Sequence, residues 1–172
     1  IEARLYAEDP RQDFLPQTGT VAQWRAPQGV RVDAGIVQGA HVTSYYDPML
    51  AKIVAHGATR DEARNRLIAA LRETCALGVV TNRDFLIACL VHPEFAAGSA
   101  STGFIDASKA ALFPAAPLES DFLRAALIFY AEGPRAVPVA RLPVGALTQS
   151  IELECEAIRR KLQVERDREA LW

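Results

Sequence analysis

Residues 49–78 read MLAKIVAHGATRDEARNRLIAALRETCALG, and this stretch decides the fold. Its first seven residues are apolar except Lys52, which predicts a buried strand with one inward or edge-facing cation. Thr59 and Glu62 form a capping box, because the threonine hydroxyl can accept from the amide three residues on while the glutamate reaches back. Apolar residues then recur at spacings of three and four, which predicts an amphipathic helix that ends at Gly78.

The segments around this stretch complete an α+β pattern. Short alternating strands with glycine and proline turns occupy the first third of the chain, and they predict an antiparallel sheet rather than βαβ units. A second helix begins near Thr81 and ends before Pro93. Because the connection between the two helices is short, we expect a helical hairpin that lies against the sheet.

Composition excludes several classes of protein. The chain has 172 residues, 50% of them hydrophobic, and a formal net charge of −2. These values exclude a disordered chain and argue against binding to nucleic acid or to an anionic membrane. No apolar run reaches the roughly 18 residues of a membrane span, and we find no basic-then-apolar leader. The chain opens at Ile1 in mid-pattern, so we expect it to be cut from a longer polypeptide.

Cysteine and histidine spacing does not indicate a metal site. Cys75, Cys89 and Cys155 include no CxxC pair and stand in apolar or alternating contexts, so we expect buried, reduced thiols. The three histidines also lack the spacing of metal ligands. We therefore predict no metal ligands in this chain.

A proline-rich break divides the chain. Residues 113–117 read FPAAP, and we predict a linker over residues 107–118 between a first domain, residues 1–106, and a second region, residues 119–172. The second region contains an apolar helix and then, over residues 150–157, a strictly alternating strand. The residues that follow fit either the second strand of a hairpin or a charged helix.

Acidic residues surround Arg4 near the start of the chain. On a strand, Arg4 lies between Glu2 and Tyr6 on one face, and Glu8 follows on the same face. An arginine among acids on a strand is usually a structural ion pair. The alternative is anion or oxyanion stabilisation, for which a guanidinium's permanent charge and fixed fork of donors are suited. The residues alone leave both interpretations open.

An Asp-Pro turn precedes the strand that contains Lys52. Its aspartate, Asp47, belongs to a type that more often caps its own backbone than contacts a ligand. A turn that presents Asp47 beside Arg4 would instead build a small polar site at the rim of the sheet. Lys52, inside an apolar strand, needs a counter-charge or a water-filled edge.

Six strings, taken in order, resemble one family. They are IEARLYAEDP, DFLPQTG, VRVDAGI, YYDPMLAKIVAHG, LGVVTNRDFL, and HPEFAAG followed by TGFI. Over about residues 1–106 this series resembles the C-terminal domain of biotin carboxylase, which occurs in the biotin-dependent carboxylases. The spelling of RLYAEDP, DPMLAK and TNRDFL is most similar to the biotin-containing subunit of methylcrotonyl-, geranyl- and propionyl-CoA carboxylases.

The resemblance implies a fold, a ligase reaction and three site residues. The fold is the α+β lobe of that family, an antiparallel sheet with a packed helical hairpin. In the family, ATP, Mg²⁺ and bicarbonate serve to carboxylate biotin held on a mobile carrier domain, for later transfer to an acyl-CoA. The arginine of RLYAEDP contacts the ureido oxygen of biotin, which makes Arg4 catalytic and biotin-binding. The aspartate of DPM lies near it, which makes Asp47 a second biotin-site residue, and spacing from HPEF places Thr102 in the adenine pocket.

The resemblance also implies partners outside this chain. The family's ATP-grasp lid, its bicarbonate-binding RxQVEH string and the carrier's AMKM string are not found here. We therefore expect three partners: the ATP-grasp part of the same subunit, a biotin carboxyl carrier domain and a carboxyltransferase subunit that residues 119–172 would help to dock. We expect no catalysis by this chain alone, and a cytoplasmic or mitochondrial-matrix location. Two alternatives stay open: a non-catalytic interaction or regulatory module, and the same lobe of a urea or pyruvate carboxylase.

Overall fold

The fold is taken from a computed structural model that describes residues 1–113, 118–132, 148–155 and 158–165. The chain divides into two compact units, residues 1–114 and residues 115–172. None of the helices in the described ranges combines the length and the apolar character that a bilayer span requires.

In the described part of the first unit, eight short strands precede the first α-helix, and a ninth strand separates that helix from the other four. Strands β1 to β9 are Glu2–Tyr6, Glu8–Asp9, Leu15–Pro16, Gly19–Thr20, Gln23–Arg25, Arg31–Ala34, His41–Val42, Met49–Val54 and Cys75–Leu77. Helices α1 to α5 are Arg60–Glu73, Arg83–Val91, Pro93–Ala96, Phe104–Ala107 and Lys109–Leu112, and a 3₁₀ turn follows β2 at Pro10–Gln12.

The predicted apolar strand, β8, is the centre of a three-stranded antiparallel sheet. It pairs with β1 on one side and with β6 on the other, in the order β1-β8-β6. Leu50, Ala51 and Ile53 of β8 are buried, whereas Lys52 is only partly buried. Lys52 faces Arg4 across one edge and Asp33 across the other, so the three side chains form one row across the sheet.

Helix α1 begins at the capping box. The Glu62 amide donates to Oγ1 of Thr59 at 3.1 Å, and the Glu62 carboxylate accepts from the Ala58 amide at 2.7 Å. The first bond satisfies an amide that a helix N-terminus leaves without an intrahelical partner, and the second reaches back to the residue before the cap. The predicted start of this helix is therefore confirmed.

The predicted end of α1 at Gly78 is wrong. The helix ends at Glu73, and the Thr74 hydroxyl then donates to the Ala70 carbonyl at 2.8 Å. Strand β9 follows and pairs with β5. Gly78 has φ +100°, and a Cβ there would collide with the carbonyl oxygen of Thr20. A close approach between two loops, and not helix termination, explains this glycine.

The predicted helical hairpin on the sheet is confirmed. Helices α1 and α2 pack on each other and, respectively, on β8 and β1. Their shared core buries Ile53 of the sheet together with Leu67, Leu71 and Leu90 of the helices, each at most 5% exposed. Burial of each such side chain contributes about 1.5–3 kcal/mol, so this interface is a main source of stability.

A second helical layer adds an aromatic cluster to the first unit. Phe85 of α2 lies 5.0 Å from Phe14 and 5.8 Å from Phe113, measured between ring centroids. Phe104 of α4 and Leu112 of α5 are buried in the same cluster. Helix α5, which falls inside the predicted linker, thus packs with the first unit, while the three-part division of the chain stays a prediction.

The second unit is described in part. Helix α6 spans Glu119–Glu132, and strands β10 and β11 span Thr148–Cys155 and Ile158–Glu165. The two strands pair in register as an antiparallel hairpin, so the strand alternative is correct for the described residues after 157. Arg160 of β11 forms an ion pair with Glu119 of α6 at 3.0 Å.

Candidate functional site

Arg4 lies on the exposed face of the edge strand β1. Its Nε donates to the Glu2 carboxylate at 3.0 Å, and its side chain is 62% exposed. Hydrogen bonds with Glu2 and then with Tyr6 raise the pKa of Arg4, so the guanidinium keeps its charge. The predicted neighbours of Arg4 on this face are confirmed, and the ion pair does not bury the guanidinium.

A cleft of about 290 Å³ runs along β1 beside Arg4. One part of its lining is polar or charged and comes from the start of the chain, and the other part is mainly apolar and comes from α2 and α3. The lining residues are Glu2, Ala3, Arg4, Tyr6, Glu8, Phe14, Asn82, Leu86, Cys89, Leu90 and Phe95. A permanent cation therefore stands beside apolar surface in one recess.

Phe14 enters this cleft through an unusual backbone conformation. Asp13 and Phe14 have φ values of 49° and 60°, in the left-handed region. This conformation costs roughly 1–2 kcal/mol for an L-residue. The edge-on contact of Phe14 with Phe85 offsets that cost and holds the ring between the aromatic cluster and the cleft.

Glu8 is a second ionisable group in the cleft. Partial burial, and then the negative charge of Asp47, raise the pKa of this carboxyl above its usual value. The Cys89 thiol, half-buried on α2, has a pKa raised to about 11 by burial. It is therefore a neutral thiol at physiological pH and contributes apolar lining rather than a thiolate.

The structure brings Asp47 to Glu8 and not to Arg4. Oδ1 of Asp47 accepts from the Met49 amide at 2.8 Å, so this side chain caps its own turn. The Ala7 amide donates to the Pro48 carbonyl at 2.9 Å, which places the turn three residues beyond Arg4, or about 10 Å along the strand. Within the described residues the carboxylate partner of Arg4 is Glu2, and Asp47 does not line the cleft.

Lys52 obtains its counter-charge from β6. Asp33, its register partner, has a lowered pKa because Arg31 hydrogen-bonds to it at 2.9 Å, and the charge of Lys52 adds to this effect. This pairing explains how a lysine is accommodated in the central strand. Of the two cations in the row Arg4–Lys52–Asp33, Arg4 is the one that lines the cleft.

Thr102 lies in an exposed turn before α4 and outside the cleft lining. No three His, Cys, Asp or Glu side chains converge as metal ligands anywhere in the described ranges. His92 has a local role, since its Nδ1 accepts from the Glu94 amide at 3.3 Å and caps α3.

Asn82 is a cleft residue that the sequence analysis missed. It is 6% exposed, and its side chain reaches the backbone of the β1 strand, 76 and 78 residues earlier in the chain. Oδ1 accepts from the Tyr6 amide at 2.9 Å, and Nδ2 donates to the Arg4 carbonyl at 3.2 Å. An asparagine before a helix looks like an ordinary cap, so local sequence carries no signal for this contact.

Comparison with known proteins identifies the family to which the first unit belongs. Residues 2–107 match the profile described as the biotin carboxylase C-terminal domain. The chain belongs to this family. The resemblance carried by the six strings is thereby confirmed.

Relatives of this biotin carboxylase domain include enzymes of several kinds. The mitochondrial methylcrotonoyl-CoA carboxylase subunit alpha of Dictyostelium discoideum is 43% identical over 127 residues, covering 72% of this chain and 18% of that protein. The urea amidolyase of Saccharomyces cerevisiae is 40% identical over 106 residues, covering 62% of this chain and 6% of that protein. The chain thus spans less than a fifth of the length of either relative. Both acyl-CoA and urea carboxylase types are compatible with the sequence.

A solved structure supports the fold of the domain. The biotin carboxylase domain of 2-oxoglutarate carboxylase from Hydrogenobacter thermophilus, determined with MgADP, ADP and bicarbonate, superposes with a TM-score of 0.65. The two are 29% identical, and the match covers 67% of this chain and 26% of that one. The predicted fold class, an α+β biotin carboxylase lobe, is confirmed.

Proposed function

We propose that this chain supplies one wall of the biotin site in a biotin-dependent carboxylase, with Arg4 as the residue that binds the ureido oxygen of biotin. The observation that supports this proposal is the position of Arg4. Its guanidinium is accessible, charged and part of the lining of a recess that also offers apolar surface. The ion pair with Glu2 orients the side chain without burying it.

Arg4 suits a ureido oxygen by charge and by donor number. A guanidinium has five N–H donors; Glu2 engages the one on Nε, and Tyr6 forms a second hydrogen bond. The remaining donors can serve a ligand oxygen. Arg4 would stabilise negative charge as it develops on that oxygen, and a fixed cation does so without reorganisation during the reaction. When bound, biotin supplies the ureido nitrogen to which the carboxyl group is added.

The remaining lining fits the rest of such a ligand. Leu86, Leu90 and Phe95 present apolar surface suited to the hydrocarbon part of biotin. Asp47 caps the turn that adjoins Glu8, so we assign it an indirect part in the biotin site, through the turn, in place of direct pairing with Arg4.

The other cofactor sites are proposed to lie mainly outside this chain. The described residues form no carboxylate cluster for Mg²⁺, so ATP and Mg²⁺ are assigned to an ATP-grasp part of the same subunit. Thr102 stays a proposed contributor to the adenine pocket from its exposed turn.

The whole protein is proposed to act as an acyl-CoA carboxylase subunit. The match to a methylcrotonoyl-CoA carboxylase subunit alpha extends over 127 residues, 21 more than the 106 of the urea amidolyase match. On this proposal a biotin carboxyl carrier domain visits the Arg4 cleft, and the second unit helps to dock a carboxyltransferase subunit. The compartment would be the cytoplasm or, as the name of that relative states for it, the mitochondrion.

Substitution of Arg4 in the full-length subunit tests the proposal. We expect Arg4→Ala to lower kcat/KM for biotin carboxylation roughly 10²–10³-fold, the usual loss when one group that stabilises developing negative charge is removed. The measurement is biotin-dependent ATP cleavage with free biotin, in the presence of bicarbonate. The matched control is Arg66→Ala, which removes another exposed, ion-paired arginine from the far side of α1.

Two results would contradict the proposal. Normal biotin turnover by Arg4→Ala would remove Arg4 from the site. Absence of any biotin-dependent ATP cleavage by the unmodified full-length protein would instead favour a non-catalytic module that retains the fold.

A further inference from the structure

The free edge of β1 is closed by one residue. In an antiparallel strand both backbone groups of a residue point to the same side. Ala7 and Ile1 bond toward the β8 side, so Arg4 and Tyr6 present their backbone groups to the opposite, free edge. Asn82 fills that edge: its own amide donates to the Tyr6 carbonyl at 3.2 Å, in addition to the two side-chain bonds to Tyr6 and Arg4.

Asn82 makes these contacts in place of its ordinary local role. It occupies the N-cap position of α2, where an asparagine side chain normally accepts from a helix amide and contributes about 1 kcal/mol. Here it makes no such cap bond. Its carboxamide is committed instead to a strand 76 residues away in the chain, although a local partner was available.

The location of these bonds gives them a consequence for the cleft. They fall on Arg4 itself and on Tyr6, the neighbour that hydrogen-bonds to the guanidinium. A strand held only by β8 could twist about its single ladder and carry the Arg4 side chain with it. Displacement of a reacting group by about 1 Å costs on the order of 10²-fold in rate.

We propose that Asn82 is a positioning residue for Arg4: its backbone and carboxamide close the edge of β1 and fix the direction in which the guanidinium enters the cleft. This inference rests on the proposed role of Arg4 in binding biotin. Asn82 acts through the strand and does not itself touch the reacting atoms.

The test uses the full-length carboxylase with Asn82→Asp and Asn82→Ala. Aspartate keeps the volume and the acceptor for the Tyr6 amide, but it replaces the donor that faces the Arg4 carbonyl with an oxygen. For each variant we expect kcat/KM for free biotin to fall roughly 10- to 100-fold, with KM for ATP within about twofold of the unmodified enzyme. A purely structural defect would lower the amount of active enzyme and leave both KM values unchanged.

Thr59→Ala provides the matched control. It removes the Thr59 cap bond of α1, which lies away from β1 and contributes about 1 kcal/mol, as an asparagine cap does. We expect kcat/KM for biotin in this variant to stay within about twofold of the unmodified enzyme.

A double variant, Arg4→Ala with Asn82→Asp, decides whether Asn82 acts through Arg4. We expect it to be no slower than Arg4→Ala alone, because a positioning residue has no effect once its target is gone. Losses that multiply would overturn the proposal.

The remaining outcomes are also decisive. Asn82 variants that match Thr59→Ala would overturn the role of Asn82 while leaving Arg4 in place. Failure of both Asn82 variants to fold would overturn it as well, because Asn82 would then serve the fold and not the site. An unmodified enzyme without biotin-dependent turnover would overturn the proposed function, and the role of Asn82 with it.

Discussion

Replacement of Gly78 with alanine places a methyl group against the backbone of a neighbouring loop. The new Cβ would collide with the Thr20 carbonyl oxygen and lie 2.8 Å from the Ala22 amide nitrogen. The φ of +100° adds a conformational cost of roughly 1–2 kcal/mol for an L-residue. Because backbone atoms cannot rotate away as side chains do, the chain must open locally.

The magnitude follows from the contact that has to open. The Ala22 amide donates to the Leu77 carbonyl at 2.8 Å, next to the β5–β9 pair. Both residues of this bond are exposed, so its loss costs only the net worth of a hydrogen bond, about 0.5–1.5 kcal/mol. Together with the conformational cost, the free energy of unfolding should fall by about 1.5–3.5 kcal/mol. For a unit of this size that corresponds to a melting temperature lower by at least about 5 °C.

Trp24 reports on this region because it pairs with Ala76 in the β5–β9 ladder. The chain has two tryptophans, so a Trp172→Phe background makes Trp24 the sole tryptophan, whose emission can be excited selectively at wavelengths where tyrosine does not absorb. Urea unfolding followed by fluorescence then gives the midpoint for the unit that contains Gly78.

Gly29→Ala is the control for the steric part of the cost. Gly29 also has a positive φ, +72°, but a Cβ there would meet nothing within 4 Å. It should therefore show the conformational cost alone, roughly 1–2 kcal/mol. Equal losses for Gly78→Ala and Gly29→Ala would refute the collision argument.

Two further predictions concern the core and the cleft. Leu71→Ala, at a fully buried position, should lower the free energy of unfolding by about 2–5 kcal/mol. Its control, Leu77→Ala, removes a side chain that is 54% exposed and should change this free energy by less than about 1 kcal/mol. Equal urea midpoints for the two variants would contradict the packing described. The pKa of Glu8 is raised in the folded state, so this state holds the proton of Glu8 more tightly than the unfolded state does. As pH rises above the usual pKa of 4.5, Glu8 must lose that proton, and its contribution to the free energy of unfolding becomes unfavourable. Glu8→Gln should therefore gain stability relative to the unmodified chain between pH 4 and pH 7, and an unchanged difference across that pH range would contradict the assigned burial.

Features with local causes were predicted from the sequence. The capping box at Thr59 and Glu62 needs only four consecutive residues and a helix, and the structure contains both bonds. The face shared by Glu2, Arg4 and Tyr6 needs only the two-residue period of a strand. The family itself was predicted from six strings taken in order, and the profile match covers residues 2–107.

Features with distant causes were not predicted. Gly78 is required by the close approach of the Thr20 carbonyl, which lies 58 residues earlier in the chain. Because neighbouring residues do not reveal this contact, they favoured a helix-ending glycine, and that prediction was wrong. Asn82 stands at the start of α2, but its bonds to β1 were not predicted, because neighbouring residues carry no sign of a partner 76 residues away. Asp47 differs from these cases, because its bond with the Met49 amide two residues away is local and is the capping role that its turn suggested.

The closed edge of β1 also matters for the behaviour of the chain in concentrated solution. An outer strand with open N–H and C=O groups is a template on which another polypeptide can add in β fashion, which leads to aggregation or domain swapping. The carboxamide and amide of Asn82 occupy three of those groups on Arg4 and Tyr6. The residue that we propose to position Arg4 thus also covers backbone groups to which another strand could bond.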